Sequence, residues 1–488
     1  MAPSLLLGVD EGTTGVKAAL FDERLQPVRE ARRDKVNRHP KEGWVEQDGE
    51  EVLAVVVEAI AEVLDDPPGE VVACGLDHQG ESVLAWDAES GAPLSPIVVW
   101  QDKRSQEVLN RLTDHEEEVK ELSGLPFDPY FSAAKLAWLL ENDEGVGEAR
   151  EAGTLRMGTV DSFLCDRLGA GFATDASTAS RTQLHALGAP GFDPRLCELF
   201  GVPEDVLPEV RDTAGELGTL RHDSWPIELP LRGQVVDQQA ALAGAACVVP
   251  GRVKATYGTG VFVLAHVGEE IPRPAGGLLP TVAWRVDGRT EYALDGGVFA
   301  AGAMLEWLCR ELGVADDPPA LGKLAREADS SAGARVLPGL AGIGAPWWRP
   351  DARAVIAGIY GGSTAANVAR AALEGIAWRV ADIVAAITES TEVDVLRVDG
   401  GVTNEPLMLQ LQADAIGVPV EAAGADATVL GAAALAAVGS SVIGSLAELP
   451  DLLPADRRVE PGRDDAWRSA EHQAWRGFVE ATAALDPG

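Results

Sequence analysis

Residues 5–22, LLLGVDEGTTGVKAALFD, decide the fold of this 488-residue chain. An apolar run from Leu5 to Val9 delivers a carboxylate, Asp10. The small-residue turn Gly12-Thr13-Thr14-Gly15 follows, and a second apolar run extends from Val16 to Phe21. Two short apolar runs about a glycine-containing turn predict a β-hairpin. The turn gathers backbone N–H groups and two hydroxyls, with Lys17 just beyond. Clustered N–H dipoles and a cation suit phosphate oxygens. An ordinary hairpin with a polar tip has the same appearance. Asp10 beside a phosphate cradle makes sense once a divalent cation lies between them.

The same pattern returns half a chain later. Val253 to Tyr257, the turn Gly258-Thr259-Gly260 and Val261 to Ala265 form a diverged second copy, which predicts a duplicated domain rather than a solenoid. Domains are expected at 1–244 and 245–488. Around each hairpin the chain alternates strand and helix, the pattern of an α/β fold. In the first half, helical periodicity over 50–64 precedes a buried strand at 71–76 that ends in Asp77-His78-Gln79-Gly80-Glu81-Ser82. Polar residues at the carboxyl end of a buried strand are where such folds place ligands. In the second half, helices are predicted at 302–312, 367–388, 408–416 and 432–438, and a strand at 395–398 runs into Asp399-Gly400-Gly401. Residues 28–48 read as polar and irregular.

Composition narrows the function. Seventy-seven acidic against 40 basic residues give a formal charge of −37, which argues against nucleic acid or an anionic membrane as partner. No run approaches the roughly 20 apolar residues of a membrane span. The start of the chain does not resemble a signal peptide, because Asp10 and Glu11 follow the short Leu5–Leu7 run directly. A cytoplasmic protein is expected. The five cysteines are far apart, with no metal-ligand spacing, and read as buried hydrophobes in a reducing compartment.

Neither a GxxxxGK[ST] P-loop nor a GxGxxG opening a helix occurs, which argues against a Walker-type NTPase and a Rossmann dehydrogenase. What remains is a pair of Gly/Thr hairpins, able to hold the two ends of a triphosphate, and Gly400-Gly401, where an adenosine could approach the backbone. Phosphoryl transfer to an alcohol needs one carboxylate to accept the hydroxyl proton and another to help hold magnesium. Asp10 and Asp237 lie beside the hairpins. Asp237, between a strand and an alanine-rich helix, also fits the plain role of an N-cap.

Ordered motifs along residues 5–443 carry a family resemblance. Tyr130-Phe131-Ser132-Ala133-Ala134-Lys135-Leu136-Ala137-Trp138-Leu139-Leu140-Glu141-Asn142 resembles the first signature of the FGGY carbohydrate kinases. Ala354 to Ile359 with Asn367-Val368 and Ala371-Ala372-Leu373-Glu374 resembles the second. Asp10-x-Gly12-Thr13-Thr14, Val99-Trp100-Gln101-Asp102-x-Arg104, Asp128-Pro129-Tyr130-Phe131-Ser132, Gly158-Thr159-Val160-Asp161, Ala179-Ser180-Arg181-Thr182, Asp237-Gln238-Gln239 and Thr256-Tyr257-Gly258-Thr259-Gly260 are most similar to the glycerol kinases of that family. The resemblance implies two actin- and hexokinase-like (ribonuclease H-like) α/β domains, with ATP, Mg2+ and a small polyol or sugar in the cleft between them. Asp237 would be the general base, and Asp10 with Asp237 would position the metal. Thr13, Thr14, Gly15 and Lys17 would meet phosphates from one side and Thr259 from the other, with Gly302, Glu306, Gly401 and Asn404 along the nucleotide. Gly80, Glu81, Tyr130, Asp237 and Gln238 would surround the acceptor, with Trp100 and Phe262 as apolar walls or as plain core. A homo-oligomer, dimer or tetramer, is expected.

The departures concern the acceptor. Glycerol kinases carry Arg-Glu where this chain has Gly80-Glu81. A guanidinium there would hold two hydroxyls through charge-assisted bonds of roughly 1.5–3 kcal/mol each. Its loss weakens glycerol binding by about tenfold or more and is expected to open room for a fourth or fifth carbon, as in a tetritol, pentitol or xylulose-type ketose. Lys17 replaces an arginine and Glu306 a glutamine. The loop near Asp399 is one residue shorter than in glycerol kinases. Residues 216–231 lack the basic glycine-rich loop that binds a sugar bisphosphate inhibitor in some bacterial members. A non-catalytic sugar- or nucleotide-responsive protein on the same scaffold is the remote alternative; the retained carboxylates and the cleft beginning at Leu5 argue against it.

Overall fold

The computed structural model describes residues 3–273, 276–422, 424 and 426–483. The strand Ser4–Glu11 pairs antiparallel with Gly15–Phe21, placing Asp10 opposite Lys17. Gly15–Phe21 pairs in turn with Pro27–Asp34. On its other side Ser4–Glu11 runs parallel to Glu70–His78, which runs parallel to Leu229–Val236. The spatial order of the five strands is therefore third, second, first, fourth, fifth. The second half repeats it. Arg252–Tyr257 and Val261–Gly268 form the second hairpin, Arg289–Val298 continues it antiparallel, and Val395–Asp399 and Val420–Ala422 extend it in parallel. Even the register recurs: Asp10 faces Asp77 in the first half and Thr256 faces Asp399 in the second. The half-sheets meet through one bridge, Ala214 to Val286.

The predicted helices form close to their expected positions, as Gly49–Val63, Gly302–Arg310, Ala365–Thr388, Pro406–Ile416 and Ala427–Gly439. Residues 28–48, read as irregular, instead supply the strand Pro27–Asp34. Its charges hid it: PVREARRD forms the sheet edge, where most side chains meet water and polar residues discourage further pairing. All five cysteines are free and buried.

The halves are knitted together by Ala427–Gly439, which crosses from the second half onto the sheet of the first. It packs on Ser4–Glu11, Glu70–His78 and Leu229–Val236, and against the helix Asp237–Gly244. Glycine makes that approach possible. A Cβ at Gly75 would strike the Ala432 carbonyl, one at Gly244 that of Ala427, and one at Gly431 that of Ala240. The apolar cluster around this helix draws Leu6, Ala73 and Val235 from the first half and Leu264, Ala283 and Ala293 from the second.

Candidate active site

Three adjacent parallel strands of the first half end in aspartate at one edge of the sheet: Asp10, Asp77 and, just past the third, Asp237. Asp237 is no helix cap. Val236 occupies that position, and the Asp237 carboxylate accepts the N–H of Gln238 at 2.7 Å. Burial, then the charge of Glu81, pushes its pKa up to about 7. Burial likewise raises Asp10 to about 6. Asp77 has no solvent exposure, and neither oxygen finds a donor. Burial and the neighbouring charge of Asp10 hold its pKa well above the carboxylate range. Glu11, beside them, is neutralised by Lys35.

Carboxylates so placed fit a divalent cation, because an orphaned buried oxygen and mutually repelling charges are both relieved by one. Among the described residues no three potential ligands converge as a metal cage. That suits magnesium, which takes one or two carboxylates and completes its shell with water and substrate phosphates.

A second cluster of polar and aromatic side chains lies near Asp237. Glu81 is buried with φ of +59°, a left-handed conformation that a glutamate adopts only under constraint and that recurs at functional sites. Its carboxylate accepts Arg181 Nε at 2.7 Å, and Arg181 reaches Asp295 of the second half at 3.2 Å. Burial opposes the charge of Arg181, but Glu81 and Asp295 outweigh it and hold the guanidinium firmly protonated. Trp100 and Tyr130 pack edge to face at 5.4 Å, and the Trp100 indole N–H donates to Thr13 Oγ1 at 3.0 Å, tying this wall to the opening turn. Lys135, fully buried, donates to the carbonyls of Tyr130 and Phe131 and so fixes the loop that presents Tyr130. Gln238 accepts the ammonium of Lys254 from the second half at 2.9 Å. Phe262 lies with Tyr130, Arg181 and Asp295 around a cavity of about 220 Å³. Gly80 does not open the room expected of it: a Cβ there would stand 2.7 Å from Val236 Cγ2.

Thr259, Gly302, Glu306, Gly401 and Asn404, drawn from three separate segments, line a single cavity of about 610 Å³ with Tyr257, Leu305 and Pro318. Gly302 is required there, since a Cβ would meet the Gly258 carbonyl at 2.5 Å. At the opening hairpin Thr14 is exposed and Thr13 partly so. Gly15 serves packing: a Cβ would lie 2.7 Å from the Arg33 carbonyl. Lys17 is not free, being held by Glu30 at 2.7 Å and Asp426 at 2.5 Å. A further cavity of about 750 Å³, between Val248, Trp284 and Val438, contains none of the residues singled out in the sequence.

Asp77, Arg181, Lys254 and Asp295 were not assigned a role from the sequence. Asp77 carried a faint signal, standing in the polar cluster that ends a buried strand. Asp295 had none, because it sits within an unremarkable strand, Arg289–Val298.

Residues 5–244 match the N-terminal domain, and residues 253–440 the C-terminal domain, of the FGGY family of carbohydrate kinases. The glycerol kinase of Geobacter sp. (strain M21) is 40% identical over 486 residues, 97% of this chain and 98% of that protein. The crystal structure of Plasmodium falciparum glycerol kinase with ADP superposes with a TM-score of 0.94 at 30% identity, over 99% of each chain. Ligand-bound xylulose kinase from Lactobacillus acidophilus shares the fold, with a TM-score of 0.88 at 21% identity over 99% of each chain. Two matched domains, one on each side of a cleft edged by buried carboxylates, place this chain in the FGGY family of ATP-dependent carbohydrate kinases.

Proposed function

We propose that the chain phosphorylates a terminal hydroxyl of a small polyol at the expense of ATP, with glycerol the first substrate to test and glycerol 3-phosphate its product. The observation that carries this is Asp237: half-buried just past a strand end, not serving as a helix cap, without a cationic partner, and with its pKa pushed up to about 7 by its low-dielectric surroundings and the nearby Glu81. A carboxylate in that state accepts a hydroxyl proton far better than an ordinary surface aspartate, whose conjugate acid is too strong.

In this reading Asp237 takes the proton as the hydroxyl oxygen attacks the terminal phosphorus of ATP. Glu81 and Gln238 orient the neighbouring hydroxyls, and Trp100, Tyr130 and Phe262 keep water from competing as acceptor. Thr13, Thr14 and Gly15 meet the phosphates from one hairpin and Thr259 from the other. Lys17 joins them only if a phosphate displaces Asp426. Gly302, Glu306, Gly401 and Asn404 line the nucleotide. Asp10 and Asp237 would hold Mg2+, which when bound would supply charge neutralisation to the transferring phosphoryl group. Residues 1–244 thus carry the acceptor and phosphate side and residues 245–488 the nucleotide side of a cytoplasmic homo-oligomer. Similarity to curated glycerol kinases supports glycerol, whereas the cavity of about 220 Å³ beside Tyr130 supports a longer acceptor.

The test is turnover of a panel of polyols and ketoses by the purified chain with Mg-ATP. Phosphorylation of at least one member, glycerol included, is expected; no turnover of any would refute the reading.

A further inference from the structure

The guanidinium absent at Gly80 cannot simply be restored, because Val236 fills the direction a side chain would take. A second guanidinium is present. Arg181 is held between Glu81 and Asp295, and its remaining nitrogen, Nη1, is buried with no hydrogen-bond partner. An unpaired guanidinium nitrogen in such a place is costly unless something accepts from it. Arg181 lines the cavity of about 220 Å³ beside Tyr130, together with Asp295, Asp128, Phe262, Phe299 and Trp348. At about 30 Å³ per water this is space for roughly seven, more than the six non-hydrogen atoms of a three-carbon triol fill. Phe299 and Trp348 are two-fifths exposed there, at 40% and 38%, unusual for large aromatics with no partner to cover them. Carboxylates accept from hydroxyls, the guanidinium donates to them, and aromatic faces receive the C–H edges of a carbon chain.

We propose that the acceptor is a linear polyol of four or five carbons. One terminal hydroxyl lies at Asp237, the next hydroxyls on Glu81 and Tyr130, and the far ones on Arg181 and Asp295, so that Arg181 serves as the guanidinium of the acceptor site. The proposal rests on the kinase reading above and names its substrate class.

The experiment compares kcat/KM for glycerol, erythritol, ribitol and xylitol with Mg-ATP, together with calorimetric titration of each polyol into the nucleotide-free chain. At least one longer polyol is expected to exceed glycerol tenfold in kcat/KM and to bind more tightly. Gly297→Val narrows the cavity, since a Cβ there stands 3.7 Å from Phe299 and 3.9 Å from Phe262. It is expected to lower kcat/KM for the longer polyols at least tenfold more than for glycerol. Arg181→Lys keeps a charge between Glu81 and Asp295 but loses the fork. It is expected to raise KM for the longer polyol about tenfold with kcat within threefold. If this variant fails to fold, Gly297→Val alone decides. Preference for glycerol over every longer polyol, or equal loss for all acceptors in Gly297→Val, would overturn the proposal. Absence of turnover with any acceptor would overturn the kinase reading itself, and the proposal with it.

Discussion

Asp237, half-buried, and Asp77, fully buried, both have raised pKa values for the same kinds of reason, yet the consequences differ. For Asp237 burial acts first and the Glu81 charge second. Only its deprotonated form can accept a proton, so kcat/KM for the acceptor should show an acid limb falling tenfold per pH unit, and a cation held beside Asp237 places that limb below the value of about 7 that the metal-free chain gives it. Glu81→Gln removes the raising charge and should move this acid limb to lower pH, whatever it does to KM; an unmoved limb would show that Glu81 does not tune the base. For Asp77, burial and Asp10 raise the folded pKa well above the unfolded value. The folded state then holds more protons than the unfolded one, so this residue costs stability as pH rises above about 4. Asp77→Asn should therefore raise the melting temperature of the metal-free chain at pH 8, with the difference shrinking toward pH 4, while weakening magnesium binding measured by calorimetry. Equal melting temperatures at pH 8 would contradict it. Both residues are single letters in the sequence. What distinguishes them from any surface aspartate is the meeting of three strand ends, which no local pattern announces.

At the scale of elements, the hairpins were legible because their signals are local: apolar runs of strand length around Gly/Thr turns. The acceptor site was legible only where family motifs covered it. Tyr130 and Arg181 lie in such motifs and Glu81 in a pair aligned with them, but Asp295 lies in none, and the Arg181–Asp295 contact joins residues 114 positions apart across the halves with no local signature. The edge strand Pro27–Asp34 was missed because edge position replaces apolar alternation with charge. The alanine- and glycine-rich helix Ala427–Gly439 was visible as a close packer, but its place on the opposite half's sheet was not. That crossing makes a sharp prediction. Gly431→Val drives a side chain into the Ala240 carbonyl of Asp237–Gly244 and should cost about 3 kcal/mol or more by denaturant unfolding, since backbone has no rotamer to yield. By contrast Thr364→Ala, which removes the capping box of Ala365–Thr388, should cost only about 1 kcal/mol. A near-neutral Gly431→Val would mean that the helices do not pack as described.

At the scale of the molecule, two copies of one five-strand order face each other, joined by one strand bridge and one crossing helix. The duplication puts a Gly/Thr hairpin in each half but gives the halves different strand-end chemistry. The first ends in Asp10, Asp77 and Asp237, while the second has Thr256 where the first has Asp10, and a nucleotide-sized cavity beside it. The proposed division of labour rests on that asymmetry: the half rich in carboxylates would handle the proton and the cation, and the other would hold the nucleotide. The central claim is that Asp237 is the base in this cleft. Phosphoryl transfer by Asp237→Asn, measured beside ATP binding to the same variant, tests it most directly. The account predicts turnover reduced at least a thousandfold with ATP affinity changed less than about threefold; turnover within tenfold of the unaltered chain would contradict it.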